Sequence, residues 1–569
     1  MTTTNRLGPA ERTESWHRLT STHFDVLVVG GGITGVGAAL DAATRGLSVA
    51  LVEASDLAFG TSSRSSKLFH GGLRYLEQLN FGLVREALRE RDLMLRTIAP
   101  HLVKPVPFLY PLQQRGWERP YVGAGLMLYD GMAGRRTLPR HRHLTRSRAM
   151  ALAPALRSDV LRGAVLYHDA QVDDARHTLT VARTAAHHGA VVRTSTRVVG
   201  LTSDGGRVAG ARITDVETAA ETEVRARAVV NCTGVWTDDI QRLTDGPVRL
   251  NVRPSKGVHL VVPRDRIRSD TGMILRTATS VLFVIPWHRH WLVGTTDTDG
   301  AHDRANPSAT GRDIDYLLDE VNRVLATPLT RADITGVYAG LRPLLTGDET
   351  SPSRLSREHT VVRPTPGLVS VAGGKYTTYR VMAAAAIDAT AEDLRVRLPP
   401  SITHRVPLLG ADGYHALVNR VDGLAHRHAI APWRVRRLLD RYGNLVEEVL
   451  RPTADDPRLL EPVDGAADYL AAELLYGVTH EGALHLDDLL SRRTHISIEV
   501  RDGGTRAARA VARIVADPLR WDASTIEAEV AKYVAGVAAA AAAHRQEDDT
   551  APDAALGRTI EPTGVTERR

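Results

Sequence analysis

The chain has 569 residues, 72 basic against 66 acidic, for a formal net charge of +6. With 24% charged residues and a mean hydropathy of −0.18 it reads as globular rather than disordered, and its length allows two to four domains of about 150 residues each. The basic excess is mild and dispersed, which suits anionic small ligands or a membrane surface and argues against nucleic acid, and the single cysteine, Cys232, excludes an intrachain disulfide or a cysteine-built metal site.

Residues 1–22 are polar, lack the apolar core of a secretory signal and are expected to be disordered. The first structured unit is "FDVLVVGGGITGVGAALDAATRGLSVALVE", residues 24–53. A short apolar strand runs into glycines, Ile33, Val36, Ala39, Leu40 and Ala43 recur at helical spacing, Gly46 stops the helix, and a second strand ends at Glu53. The loop "ASDLAFGTSSRSSKLFHGGLRYLE" follows, crowding Arg64, Lys67, His70 and Arg74 around Gly71 and Gly72. Such cations repel one another unless an anion sits among them. Residues 100–150 are rich in Pro, Arg and aromatics; 131–158 hold no acidic residue, and "GRRTLPRHRHLTRSR" carries six arginines. "ARAVVNCTGVW" and "GLVSVAGGKYTTYRVMAAAA" each read as a strand, a glycine turn and a polar or helical start, further pieces of the first sheet. Between them, "VHLVVP", "VLFVIPW" and "WLVGTTD" predict a mainly antiparallel second sheet. Amphipathic helices fill the chain from about residue 410 to 545, and the last residues look like a disordered tail. No stretch of ~18 apolar residues would span a bilayer. The chain is therefore expected in the cytoplasm, or peripheral on the cytoplasmic face of the cell membrane.

Gly30-x-Gly32-x-x-Gly35 carries a recognisable chemistry in this context. Gly30 permits the turn, Gly32 lets a pyrophosphate approach the backbone, Gly35 lets helix and sheet pack closely, and Glu53 accepts hydrogen bonds from a ribose. A bare GxGxxG is weak, but here strand, helix, second strand and acid fall in register. A nicotinamide enzyme usually continues in alternating βα units, whereas this chain runs into a serine-rich loop. Ser65 and Ser66 can offer hydroxyls and amides to phosphates there. Thr233-Gly234 and Gly373-Gly374-Lys375 supply later turns, the second able to set amides and a helix dipole against a flavin pyrimidine edge. FAD suits two such distant helix starts better than NAD.

The blocks "GGGITGVGAALDAATRGLSVALVE", "SSKLFHGGLRYLE", "VVNCTGVW", "KGVHLVVP", "FVIPW…VGTTDTD", "AGLRPLL" and "AGGKYTTYR" occur in this order. Together they resemble the FAD-dependent, membrane-associated glycerol-3-phosphate dehydrogenases over roughly residues 25–381, and the tail containing "LLSRRT" resembles that family's C-terminal domain. The resemblance implies an α/β fold: a Rossmann-like FAD-binding domain of the glutathione-reductase type, an inserted, mainly antiparallel substrate domain and a helical C-terminal domain. The expected boundaries are 1–22 for the disordered N-terminus; 23–99, 151–249 and 346–395 for the FAD domain; 100–150 and 250–345 for the substrate or cap domain; 400–545 for the helical domain; and 546–569 for the tail. It also implies oxidation of sn-glycerol 3-phosphate to dihydroxyacetone phosphate with electrons passing to a membrane quinone. Cys232 stands where that family often has alanine, and Tyr376 where an aliphatic residue is expected; near a flavin, Cys232 would be open to oxidation.

The anion among the cations is then a phosphate ester, close to a dianion at neutral pH and best held by charge-assisted donors. By the resemblance, Arg74 and Lys375 bind the phosphate with Tyr75 close by, and Arg342 and Arg357 are further cations facing substrate or flavin. Arg342 stands among apolar neighbours and needs an anionic partner, substrate or structural, and Arg74 joins it in the catalytic set. Arg64 and Lys67 read as surface or cofactor-loop groups. Hydride leaves C2 only as the hydroxyl loses its proton, so a group titrating near neutrality is wanted nearby. His70 is the candidate, with Arg342 or a bound water as rivals and simple packing on the flavin edge as the plain alternative. His187-His188 and "HRH" at 141–143 read as surface, not metal ligands. The arginine-rich loop is either solvated or laid on anionic headgroups. Partners are then sn-glycerol 3-phosphate, a quinone or other acceptor, an anionic membrane surface and, as an open option, a second copy in a homodimer. The competing readings are an oxidase that reduces oxygen on the same substrate, an amine or amino-acid oxidase of the same fold, and a catalytically silent flavin-binding regulator.

Overall fold

The apolar run before the glycines forms the strand His23–Val29. Its alternate residues feed two cores, Val26 and Val28 on one face and Leu27 and Val29 on the other, as expected of a strand covered on both sides. It is central in an eight-stranded sheet: His359–Thr365, Leu368–Gly373, Glu221–Asn231, His23–Val29, Val49–Val52 and Val191–Arg193 run in that order, with Arg207–Asp215 attached to Glu221–Asn231 and Thr196–Asp204 to Arg207–Asp215. The middle pairings are parallel. Helices Ile33–Thr44, Asp174–His187 and Tyr379–Asp388 fill the core on one face. The structure, a computed structural model, describes residues 5–77, 79–113, 116–133, 138–244, 246–277, 281–299, 303–345 and 359–546, without the side chains of Arg74 and Asp299.

The second sheet has ten strands and is antiparallel except where Gly272–Arg276 runs beside Val103–Leu112. Its longest pairings join Val252–Pro263 to Gly336–Leu345 and Val103–Leu112 to Gly163–Val172. Gly163–Val172 corrects the expected boundary, which placed 151–249 wholly in the FAD domain. A strand's own sequence does not name its partner, and this one pairs along its full length with the inserted sheet. Leu68–Phe69 joins it too, so the loop carrying His70 leaves from the second sheet.

The disordered N-terminus is corrected as well. Pro9–Ser21 is a helix with Leu19 fully buried, and the Arg193 guanidinium lies 4.9 Å from the Trp16 ring centroid. Arg12 donates to Thr194 O at 2.8 Å and to Asp215 Oδ2 at 3.0 Å. The helix reads as polar because guanidinium and carboxylate groups do much of its docking. Residues 547–569 lie outside the described residues.

Beyond residue 400 the chain is helical apart from the small sheet Pro462–Val463 with Ala466–Leu470. It is fastened to the FAD domain by buried charges. Asp56, in the loop after Glu53, accepts from Arg492 Nε at 2.6 Å and from both terminal nitrogens of Arg493 at 2.7 Å. Arg176, on the helix Asp174–His187, pairs with Glu481 and donates to Arg493 O at 2.7 Å.

Candidate active site

Glycine geometry builds the floor of the site. Gly30 has φ +108°, and a Cβ there would lie 2.8 Å from Cys232 O, so the chain turns tightly against the neighbouring strand end. The Glu53 carboxylate accepts from Gly31 N at 2.6 Å and from Ser55 N at 2.9 Å. Burial pushes its pKa up, against those amides. Ser62 Oγ accepts from Ile33 N at 2.9 Å, at the start of the helix behind the turn. Thr233, Gly234, Gly373, Gly374 and Lys375 join Gly30, Gly32 and Glu53 on the wall of one cavity of about 1930 Å³. Sites for one small ligand span ~300–1,000 Å³, so this cavity has room for an extended dinucleotide and a substrate. Gly35 lies behind it, where a Cβ would meet Gly30 O at 1.9 Å. The acid, the glycine turn, the helix start and the second glycine pair together fit FAD.

The serine loop behaves differently from expectation. Ser65 lines the cavity, but its amide and hydroxyl both donate to Asp174 Oδ2, at 2.9 and 2.6 Å. Ser66 Oγ shares a hydrogen bond with His259 Nε2 at 2.9 Å. Ser62 is thus the serine that reaches the dinucleotide turn. Lys67 is no surface group: it is fully buried, and its ammonium pairs with Asp174 and donates to Ser63 O at 3.1 Å. The anion for that cation is built into the protein.

His70, Tyr75 and Lys375 all line the cavity wall. The Lys375 ammonium stands 3.4 Å from the Tyr75 ring centroid. Gly72, at φ +77°, makes room for this: a Cβ there would lie 2.3 Å from the Tyr75 ring and 3.2 Å from Lys375 Nζ. The loop is pinned from below, where Gly71 N donates to Tyr129 Oη at 2.8 Å and Tyr129 donates to Asp169, itself held by Arg91. The His70 ring packs edge-on to Phe283 at 6.2 Å, and its backbone N–H donates to Thr377 Oγ1 at 3.3 Å. Arg357 and the side chain of Arg74 lie outside the described residues.

Arg342 sits on the strand paired with Val252–Pro263, and its guanidinium crosses that strand at Gly257, where a Cβ would lie 2.5 Å from Nη2. It donates to Asp297 Oδ1 at 3.2 Å, Thr295 Oγ1 at 3.0 Å and Thr296 O at 3.1 Å. The ion pair left open by the sequence is therefore present, and it aims the guanidinium along the cavity wall. Two residues along the same strand face stands His259, which the sequence reading did not single out. Its ring stacks on Tyr338 at 4.8 Å. Burial, with the charges of Arg342 and Lys67, pushes its pKa down to about 3, so it is a neutral imidazole in the cavity wall. In "KGVHLVVP" it looks like a core histidine; only the cross-strand register sets it opposite Tyr338 and within reach of the Arg342 charge.

Cys232 is buried, and desolvation pushes its thiol up to about 12. Burial of this kind disfavours the reactive thiolate. Tyr376 donates to Asp174 O at 2.7 Å and lies 3.1 Å from His177 Nδ1, an anchor for the turn bearing Lys375. His141 pairs with Asp130 at 2.8 Å.

Residues 25–387 match the family described as FAD dependent oxidoreductase, and residues 401–526 match the C-terminal domain of alpha-glycerophosphate oxidase. Fold and cavity define the class: an FAD-dependent oxidoreductase with an appended helical domain. The chain is 60% identical over 547 residues to glycerol-3-phosphate dehydrogenase 2 of Mycobacterium tuberculosis, covering 96% of this chain and 94% of that one. It is 58% identical over 567 residues to the glycerol-3-phosphate dehydrogenase of Mycobacterium leprae, covering 98% and 97%. The crystal structure of the Bacillus halodurans glycerol-3-phosphate dehydrogenase complexed with FAD superposes with a TM-score of 0.76 at 29% identity, over 93% of this chain and 98% of that one. This chain belongs to the FAD-dependent glycerol-3-phosphate dehydrogenase family.

Proposed function

We propose that the chain oxidises sn-glycerol 3-phosphate to dihydroxyacetone phosphate and passes the electrons to a membrane quinone. The observation that carries this reading is that Lys375, Tyr75, His70, Arg342 and His259 all line the cavity that also holds the dinucleotide turn, with the Lys375 ammonium over the Tyr75 ring. The Lys375 ammonium, with Arg74 and Arg357, would grip the phosphate, and Tyr75 would set the ester's orientation. Arg342, aimed by Asp297 and Thr295, would polarise the C2 oxygen. Bound FAD supplies the two-electron acceptor for the C2 hydride. The hydroxyl proton passes to His70; a C=O bond forms as the C–H and O–H bonds are given up. His70→Gln is expected to keep its flavin and lose 10²–10⁴-fold in kcat, the usual worth of a positioned base. Near-wild-type turnover in His70→Gln removes His70 from the proton transfer.

The membrane reading gains support from the helix Glu118–Met132. Its exposed positions are Pro120, Tyr121, Ala124, Met127, Leu128 and Gly131, without a charge among them. Leu79, Phe81 and Trp117, also exposed, extend the surface, and Tyr121 Oη donates to Glu77 at 3.2 Å. The exposed arginines 140, 142, 146 and 148 run alongside: His141 pairs with Asp130, and a Cβ on Gly123 would lie 2.7 Å from the His143 ring. An uncharged stripe beside arginines is what an anionic lipid surface takes up. Arg135 and Arg136 lie outside the described residues. Among the described residues no helix is long and apolar enough to cross a membrane. The acceptor is tested by peroxide yield against quinone reduction; stoichiometric peroxide in air would make the chain an oxidase instead.

A further inference from the structure

The helical domain lines the cofactor cavity as well as adjoining it. His485, Leu486, Arg492, Glu529, Lys532 and Tyr533 share its wall with Gly30 and Glu53. Their place can be traced from Glu53. Thr196 N donates to Glu53 O, Ser195 N to Ser55 O and Val216 N to Ser195 O, at 2.7–2.8 Å, so the turn bearing Glu217 stands at the ribose-binding end of the dinucleotide site. There His485 of the helical domain bridges two carboxylates. Its Nε2 is 3.1 Å from Glu217 Oε1 on the FAD domain, and its Nδ1 is 3.0 Å from Glu529 Oε1 on the helix Ala523–Ala543. Leu486 N donates to Glu529 Oε2 at 3.2 Å. Behind the bridge, the Asp56 pairs with Arg492 and Arg493 fix the same segment to the loop after Glu53. The bridge side chains are 30%, 32% and 12% exposed, whereas Asp56 and Arg493 are 4% and 1% exposed, so the outer contact can open while the inner one stays shut.

We propose that the helical domain completes the FAD site, the Glu217–His485–Glu529 bridge closing its adenosine end so that FAD enters and leaves only when this bridge opens. This stands on FAD alone and holds whichever substrate or acceptor the enzyme uses. A latch of this kind slows release of the bound group without contacting the reacting atoms.

The test follows FAD release from intact holoenzyme by the rise in free-FAD fluorescence after dilution, for wild type, His485→Gln, Glu217→Gln and His485→Lys, with the Tm of flavin-free protein measured beside it. The expected result is release about tenfold faster or more in His485→Gln and Glu217→Gln, a loss of ~1.4 kcal/mol in the closed state. His485→Lys keeps a cation between the carboxylates and is expected to restore much of the slow rate. A bridge that is merely structural would lower the Tm of holo and flavin-free protein alike and leave release at the wild-type rate; that result overturns the proposal. Should His485→Gln fail to fold, Glu217→Gln, on a surface turn of the other domain, decides alone.

Discussion

Two lysines show how the same ammonium group serves opposite ends. Lys67 is enclosed with Asp174, Trp287 and Tyr338 around it, while Lys375 stands over Tyr75 on the cavity wall. Lys67→Met leaves Asp174 buried without its counter-charge, and breaking such a pair costs about 3–5 kcal/mol; a clear drop in the Tm of flavin-free protein is expected. Lys375→Ala is expected to lower kcat/KM for glycerol 3-phosphate, per bound flavin, by roughly 10- to 150-fold, the ~1.5–3 kcal/mol of a hydrogen bond to a charged group. Both lysines stood out in the sequence as cations near glycines. Nothing local separated them, because Asp174 lies 107 residues from Lys67. His259 was hidden for a similar reason: the pairing of two distant strands sets it opposite Tyr338, on which its ring stacks, and within reach of the Arg342 charge.

The dinucleotide unit was legible because its glycines, helix start and acid all fall within about one βαβ unit, and local spacing carries them. Gly35→Ala tests that unit: its Cβ would collide with Gly30 O at 1.9 Å, and the variant is expected to purify without flavin. The helix Pro9–Ser21 was not legible, since its docking through Arg12 and Trp16 resembles a solvated segment until Asp215 and Arg193 are placed beneath it. The helix Glu118–Met132 has its usual pattern inverted, with uncharged residues outward. Met127→Glu with Leu128→Glu is expected to weaken binding to anionic vesicles at least about tenfold, given ~1.5–3 kcal/mol for each large apolar side chain buried. Neutralising Arg140 and Arg142 is expected to weaken it further at low salt and little at high salt, read by co-sedimentation. Vesicle binding indifferent to both changes removes this face from membrane contact.

Charge joins the domains into one working body. The hydrogen bonds of Glu217 and Glu529 outweigh burial and push the His485 pKa up to about 10, while His485 holds Glu217 down at about 2. Asp488 adds to the field at His485, Arg12 acts on Glu217 and Lys532 on Glu529. A histidine raised from its ordinary 6.5 adds stability that is complete below that pH and disappears as pH climbs through about 10. The gap in Tm between wild type and His485→Gln is therefore expected to be full near pH 6, to shrink steadily above pH 6.5 and to vanish near pH 11. Such interfaces escape sequence reading because each partner, taken alone, is an ordinary surface charge. The two sheets and the helical tail were foreseeable from periodicity, but their shared cavity exists only once Glu53, Lys375 and His485 are assembled.

Anaerobic addition of sn-glycerol 3-phosphate to the flavin-loaded protein, beside glycerol and glycine, tests the central claim most directly. The account predicts that the phosphate ester alone bleaches the flavin's visible absorbance and yields one dihydroxyacetone phosphate per flavin. A flavin that keeps its colour with the ester, or bleaches equally with unphosphorylated glycerol, contradicts it.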